Sequence, residues 1–145
     1  MSTLIATRQA QWPLVSEFTF NFDDTMLNTS GVSDGFTTVA AHVFDVINLP
    51  QGAVVIGGDI VTETAITGST AFNVKVGDAT SDVRYLGTTD KTTAARTALV
   101  PTGFVGTGEA IRLTVTPTVA AVTAGKVTLR VLFTIRGKGN ENTPG

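Results

Sequence analysis

Hydrophobic and polar residues alternate along most of this chain with a period of two residues. The alternation is clearest at Phe18, Phe20 and Phe22, and again between Val127 and Ile135. A period of two places every second side chain on the same face of an extended strand, so it is typical of strands with one buried face. The pattern therefore predicts a β protein, and the chain contains no convincing amphipathic helix.

The stretch around Gly57-Gly58 organises the rest of the prediction. Val54, Ile56 and Ile60 alternate with other residues and are expected on the buried face of one long strand. A glycine pair inside a strand usually marks a bulge or bend, and we expect it to form a corner where the strand turns between sheets. The Thr67-Gly68-Ser69 turn is expected to close a hairpin with the next strand.

Other segments complete the set of predicted elements. Residues 23–35 are polar and rich in turn formers, so they are expected to form a long loop. A short strand is expected around Arg84–Leu86, and residues 90–98 fit either one helical turn or an extended edge. The remaining predicted strands are Val15–Phe22, Thr37–Ile47 (expected to lie centrally or to be covered on both sides), Ala71–Val76, Ala110–Thr116 and Lys126–Arg136, with loops at Pro101–Gly108 and Pro117–Gly125.

About eight strands with turns at this spacing predict an all-β fold. We expect a two-sheet antiparallel sandwich, jelly-roll-like, in residues 15–136. Residues 1–14 are interpreted as an extended N-terminal arm, and residues 137–145 as a flexible C-terminal tail. Pro13 biases Trp12 towards an extended backbone, and a tryptophan outside any strand pattern is either an interface anchor or packed on its own domain.

Composition narrows the classes of function. Of the 145 residues, 42% are hydrophobic and only 15% are charged, which suits a domain partly covered by neighbouring molecules. The chain has no cysteine, which excludes disulfides and thiolate sites. Because no apolar run approaches a membrane span and the N-terminus lacks a signal-peptide core, we expect a protein made in a cytoplasm.

The charges are distributed unevenly along the chain. Up to Thr70 there are seven acids and one basic residue, Arg8, whereas nine basic residues and five acids follow. Either the two halves mix in space, or they form an acidic and a basic patch that steers subunits together. Scattered basic residues and a net charge of -2 do not favour nucleic-acid binding.

Few residues in the sequence suggest chemistry. His42 is the only histidine, so it is expected to be a hydrogen-bonded residue of a sheet and not a metal ligand. Asp78, Ser81 and Asp82 could offer oxygen ligands to calcium, but they lack the EF-hand spacing and fit a turn better. The Asp23-Asp24 pair could in principle serve a glycosidase, yet the aromatic residues expected beside such a site are missing. We therefore predict no enzyme activity, no metal and no cofactor.

The sequence resembles small structural proteins of tailed bacteriophages between Leu49 and Arg136. The phrases that carry the resemblance are LPQGAVVIGGDIVTETA, VGDATSDVRYL, RTALVPTGFVGTGEAIRLTVTP and TAGKVTLRVLF. These segments are similar in sequence and order to the cement, or decoration, proteins of podovirus-type capsids. The N-terminal arm does not match that pattern.

The resemblance implies a jelly-roll domain on the outer surface of the capsid in the virion, made in the host cytoplasm. Such a protein would form a homo-oligomer, either a dimer or a trimer, and would bridge subunits of the major capsid protein without nucleic acid or membrane. Candidate interface residues in the arm are Leu4, Ile5, Arg8 and Trp12. The alternative is a receptor- or carbohydrate-binding module of a phage head or tail fibre.

Overall fold

The computed structural model describes Thr3 and residues 12–136, which form strands and connecting loops and contain no helix. The ten strands are β1 (Leu14–Asn21), β2 (Thr25–Leu27), β3 (Ser33–Gly35), β4 (His42–Ile47), β5 (Ala53–Thr67), β6 (Ala71–Gly77), β7 (Leu86–Asp90), β8 (Arg96–Ala98), β9 (Ile111–Thr118) and β10 (Ala124–Ile135).

Two four-stranded antiparallel sheets form the body of the protein. Their strand orders are β1-β10-β5-β8 and β4-β9-β6-β7, and β2 pairs with β3 in a separate hairpin. Leaving that hairpin aside, every connection crosses from one sheet to the other except β6 to β7. Eight strands exchanged between two sheets in this order form a jelly roll. The predicted all-β sandwich and its jelly-roll topology are confirmed.

The core lies between the two sheets. From the first sheet Ile60, Leu129 and Val131 point inward, and from the second Val74 and Leu113; all five are completely buried. Burying a side chain of this size stabilises the fold by about 1.5–3 kcal/mol.

Aromatic rings close the side of the sandwich where β1 and β4 lie. Phe20 stacks on Phe36 with ring centroids 4.1 Å apart, and Phe36 contacts Phe44 at 4.8 Å. The three rings connect β1, the β3–β4 connection and β4, so they link the edges of the two sheets.

The Gly57-Gly58 pair does lie at a bulge, but the expected corner between sheets is wrong. Leu132 of β10 faces Gly57 while Phe133 faces Val55, so Ile56 is the extra residue on β5. Both sides of the bulge pair with β10, and β5 stays in one sheet throughout. A jelly roll can change sheets in its loops, so this long strand needs a local twist and not a corner.

The bulge also reverses which side chains are buried. Val55 and Ile60 point into the core, whereas Ile56 is 47% exposed and Val54 is half-buried. Because one extra residue shifts the alternation, residues before and after the bulge follow opposite parity. The predicted inward positions of Val54 and Ile56 are therefore wrong, and that of Ile60 is confirmed.

The predicted hairpin at Thr67-Gly68-Ser69 is a connection between the sheets. β5 pairs with β10 and β8, while β6 pairs with β9 and β7, so the two strands do not pair with each other. Gly68 has a φ of +90°, and a Cβ there would lie 2.4 Å from the carbonyl oxygen of Ala121. The Ser69 hydroxyl accepts a hydrogen bond from the Thr118 N–H at 3.0 Å. Gly68 and Ser69 thus form a connection that crosses from one sheet to the other. Such a connection has the same sequence signal as a hairpin turn.

The long loop predicted at residues 23–35 contains the β2–β3 hairpin, in which Met26 faces Asp34. These strands have three residues each, too short to show a hydrophobic alternation. The loop prediction was wrong in this part, and the hairpin covers the aromatic rings between β1 and β4.

The strand predicted at Thr37–Ile47 is shorter than expected and lies at an edge. Its first half is a turn in which Ala40 N donates to Thr38 O at 2.8 Å, and β4 begins only at His42. β4 is the first strand of its sheet, but Thr29 N donates to Val43 O at 3.0 Å. The apolar residues on both faces of β4 predicted a strand that lies centrally or is covered on both sides. The central position is wrong, and the β2–β3 connection partly covers this edge.

Two further differences concern the C-terminal half. Residues 90–98, for which helical and extended forms were both open, contain a bend at Thr93-Ala94 followed by β8, and no helical turn. β9 continues through Pro117, which was expected to start a loop and instead faces Phe72. The pairing of β9 with β4 ends at Val115, so the missing N–H of the proline breaks no bond on that side.

Candidate functional site

His42 connects the start of β4 to the β2–β3 hairpin. Its Nδ1 lies 3.0 Å from both carboxylate oxygens of Asp34, and its Nε2 lies 2.9 Å from the carbonyl oxygen of Thr38. The residue is only 3% exposed. Both ring nitrogens are therefore occupied by the protein's own groups, and the expectation of a hydrogen-bonded histidine is confirmed.

The hydrogen bond from His42 lowers the pKa of Asp34 below its ordinary value of 3.8, against the opposing effect of burial. A carboxylate whose pKa is lowered by folding stabilises the protein above its unfolded pKa, and this contribution is lost as the pH falls through the folded pKa. We expect Asp34→Asn to be clearly less stable than the wild type at pH 7, and this difference to shrink below pH ~4.

Urea unfolding of both proteins between pH 3 and 7 checks this expectation, with Asp23→Asn as a control at an exposed acid of the preceding turn. If the difference between Asp34→Asn and the wild type stayed constant over the whole range, the carboxylate would not owe its stabilising effect to its ionised form.

Asp78, one of the candidate calcium ligands, is the centre of a closed turn. Its carboxylate accepts hydrogen bonds from Thr80 N at 3.0 Å and Ser81 N at 2.8 Å, and from Arg84. Burial raises the pKa of Asp78, but Arg84 and these N–H donors outweigh it and hold the pKa below the ordinary value. Asp82 points elsewhere and pairs with Lys75 at 3.0 Å. The interpretation as a turn is confirmed.

No three histidine, aspartate or glutamate residues among the described ones are placed to hold a metal ion. In the same part of the chain, every buried side-chain nitrogen or oxygen has a hydrogen-bond partner. A preformed site for a polar ligand usually contains buried polar groups that face a cavity and have no partner within the protein. The side-chain clusters described here instead stabilise turns and strands.

The outer face of the β1-β10-β5-β8 sheet carries a network of ion pairs. Asp59 accepts two hydrogen bonds from Arg130, each at 2.8 Å, and one from Arg96 at 2.6 Å. Arg130 lowers the pKa of Asp59 against the effect of burial, with help from Arg96. On the same face Glu63 pairs with Lys126 at 3.2 Å.

Each of these pairs joins an acid of the N-terminal half to a base of the C-terminal half. Asp45 and Arg112, which face each other across β4 and β9, do the same at 3.0 Å. Antiparallel pairing of distant segments thus brings the two halves together in space. Of the two interpretations of the uneven charge, mixing of the halves agrees with these contacts.

Exposed apolar side chains are the other conspicuous surface feature. Trp12 is 78% exposed, as expected for an interface anchor, and Val15 on β1 is 60% exposed. Leu4, Ile5 and Arg8, the other predicted interface residues, lie outside the described residues. Further exposed apolar side chains are Leu14, Leu27, Val32, Val39, Ile56, Val83, Val100 and Val119.

A small pocket lies under β1, where the β2–β3 hairpin meets the edge of the sandwich. Phe18, Phe20, Met26 and Phe36 supply apolar walls, and Asp24 contributes a carboxylate. The sequence did not predict this pocket, because residues 23–35 were interpreted as a loop. The alternating phenylalanines of β1 were the available signal, but they marked the strand without showing what would face it.

No family model matches the sequence, and no curated protein matches it. Among solved structures, a chain of the cyanophage Pam1 capsid asymmetric unit is 26% identical, with a TM-score of 0.56 over 83% of both chains. The chain is similar to a phage capsid chain.

Two further capsid structures share the fold at lower identity. An acid-stable capsid structure of Helicobacter pylori bacteriophage KHP30 matches at 17% identity and a TM-score of 0.65, over 95% of this chain and 98% of that chain. The capsid of Ralstonia phage GP4 matches at 11% identity and a TM-score of 0.55, over 88% and 86%. Together with the Pam1 match, these structures confirm the resemblance to phage capsid proteins that was inferred from the sequence. The described residues also contain no helix that is long and apolar enough to cross a membrane.

Proposed function

We propose that this protein is a structural virion protein that binds the outside of a phage capsid and cements neighbouring subunits of the major capsid protein. The observation that carries the proposal is the match to a chain of the Pam1 capsid asymmetric unit, at 26% identity over 83% of each chain. Since both chains are covered to the same extent, the capsid chain has about the same length as this one. That size suits an accessory protein attached to a shell.

The surface and interior of the domain agree with this role. Its polar clusters serve the fold, as Asp78 and His42 illustrate, and no group of described residues is placed for metal chemistry. A cement protein needs many copies that each make modest contacts, and multivalency makes such contacts collectively strong. Residues 15–136 would supply the rigid body of each copy, while residues 1–14 and 137–145 are the proposed arm and tail.

The alternative role in receptor or carbohydrate binding has less support. Sugar-binding surfaces usually present exposed aromatic rings, yet Tyr85 is only 4% exposed. The ring of Phe104 is covered by the Arg84 guanidinium, 3.6 Å from its centroid. Among the described residues, Trp12 is the one aromatic side chain with high exposure.

Binding to particles that lack this protein tests the proposal. Purified protein added to such particles is expected to sediment with them in a saturable manner and to raise the temperature at which they release DNA. No sedimentation with particles, or sedimentation with isolated tails alone, would contradict the proposal.

Trp12→Ala is expected to weaken particle binding about tenfold or more, because a buried tryptophan is a common interface hot spot. Val119→Ala is the matched control, since Val119 is an equally exposed apolar residue, at 79% against 78% for Trp12. Equal affinities of the two variants would show that Trp12 does not contact the shell. Dynamic light scattering and sedimentation with particles measure the particle affinity of both variants.

A further inference from the structure

β1 forms an open edge of the sandwich. In the part of the chain that the structure describes it pairs only with β10, through eight consecutive residues without a bulge. It contains no lysine and no proline, the usual devices that protect an edge strand. At the far edge of the same sheet β8 has only three residues, and the edge at β4 is partly covered through Val43.

Alternation of the backbone shows which groups face outward. Phe22 N donates to Gly125 O of β10 at 3.0 Å. In an antiparallel ladder every second residue points both its N–H and its C=O at the partner strand, so the intervening residues point away. These are Val15, Glu17 and Thr19. No backbone partner of these three residues occurs among the described ones, whereas Asn21 N is bound by Asp24 Oδ2 at 2.7 Å.

The apolar pocket lies directly beside this edge. Phe18 and Phe20 belong to β1 itself, and Met26 and Phe36 close the other side. A strand added to β1 would place every second side chain on the inner face, next to these rings. Backbone groups of the edge would then provide affinity and the pocket would provide selectivity, as in known cases of β-strand addition.

We propose that residues 2–11 of a second copy of this chain add as a strand to β1 and insert Leu4 or Ile5 into the pocket. The sequence of this segment, STLIATRQAQ, contains one apolar pair and a single charge, Arg8. β1 and the turn that leads to β2 contain Glu17, Asp23 and Asp24 and no basic residue, and Arg130 of β10 faces Glu17. Apolar and charged features of the segment are therefore complementary to the edge.

The segment of the same chain is poorly suited to fold back onto its own β1. A tight hairpin before Leu14 would use Trp12-Pro13 as its loop, but two-residue hairpin loops need positive φ and proline is fixed near −65°. Residues 1–13 contain no glycine, asparagine or aspartate that would form a turn. Pro13 also favours an extended Trp12, which disfavours a tight reversal of the chain at this point.

Each copy thus donates one segment and accepts one, which closes a dimer by mutual exchange or a trimer as a ring. This inference rests on the proposed function, for which a homo-oligomer is expected, and it specifies how the copies contact one another. The tests of the exchange use isolated protein without capsids. A failed exchange is therefore distinguishable from a failure to bind capsids.

Disulfide cross-linking tests the contact directly, because the chain has no cysteine of its own. Single variants Leu4→Cys and Ile5→Cys, carrying an affinity tag, are each mixed with untagged Met26→Cys and oxidised. We expect a tagged–untagged cross-link from at least one of the two, at least tenfold above that with the control Val119→Cys. Cross-linking at the control level for both would overturn the proposal. A double variant that carries Met26→Cys together with Leu4→Cys or Ile5→Cys, and that cross-links only within one chain, would also overturn the proposal.

A second pair of variants tests the edge without relying on the position of the arm. Glu17→Pro removes an outward N–H, which an edge strand tolerates, whereas Glu17→Gln keeps it. Light scattering after gel filtration should show an oligomer for the wild type and for Glu17→Gln, and a folded monomer for Glu17→Pro and for a variant lacking residues 2–11. A monomeric wild type, or an oligomer that survives both changes, would contradict the proposal. A monomeric wild type that still binds particles would overturn the exchange and indicate that a capsid protein segment occupies the edge.

Discussion

Gly58→Ala is expected to lower the free energy of unfolding by at least about 3 kcal/mol, because strain and overpacking add at this position. Gly58 has a φ of +130°, and a Cβ there would lie 2.2 Å from the carbonyl oxygen of Arg130. The obstacle is the backbone of the paired strand β10, so no side-chain rotation can relieve it. For a domain of this size the melting temperature should fall by about 10 °C.

The neighbouring glycine provides a matched control. A Cβ at Gly57 would meet nothing within 4 Å, and its φ is not positive. Gly57→Ala should therefore lie between no change and about 1 kcal/mol of stabilisation, since alanine reduces the entropy of the unfolded chain. Thermal and urea unfolding of both variants checks the pair. Equal losses in the free energy of unfolding for Gly57→Ala and Gly58→Ala would contradict the position of the bulge.

Asp78→Ala is expected to destabilise the protein by about 3 kcal/mol, since it removes one partner of a buried ion pair and the acceptor of several N–H groups. The Asp78 side chain is 3% exposed and that of Arg84 is 19% exposed. Without the carboxylate, the N–H groups of Thr80 and Ser81 lose their acceptor, and the Arg84 guanidinium loses its ion-pair partner.

Asp82→Ala is the control for this turn. Its carboxylate is half-exposed and pairs with the partly exposed Lys75, so the loss should stay below about 1 kcal/mol. Chemical unfolding at pH 7 measures both variants. A larger loss at Asp82 than at Asp78 would contradict the assignment of Asp78 as the centre of the turn.

The sequence predicted the strands that carry a long, regular alternation. β6 and β10 were predicted nearly to the residue, because Phe72, Val74 and Val127 belong to unbroken patterns with one buried face. The two-sheet architecture followed from the number and spacing of such strands. These features depend on local sequence, which the pattern records directly.

The errors occurred where distant contacts decide the structure. Ile56 changed face because the bulge depends on pairing with β10, a strand more than 60 residues away in sequence. The connection at Gly68 crosses between sheets because of its contact with the Ala121 carbonyl. β2 and β3 form only against the rings that they cover, such as Phe36. Local propensity is overridden by tertiary pairing in each of these cases.

The sequence predicted the candidate interaction surfaces only in part. The isolation of Trp12 in the pattern predicted either an interface anchor or a residue packed on its own domain; it is 78% exposed, and its role at an interface stays a prediction. The open edge of β1 and its pocket could not be predicted, because a strand at an edge and a strand in the centre share the same alternation. Which strand lacks a neighbour is a property of the topology.

Cryo-electron microscopy of the phage particle that contains this protein tests the central claim most directly. The proposed function predicts density for the jelly roll on the outer surface of the capsid shell, at the boundaries between major capsid protein subunits. The copies should lie in contact with one another. Density confined to the tail or to the interior of the shell would contradict the role as a cement protein.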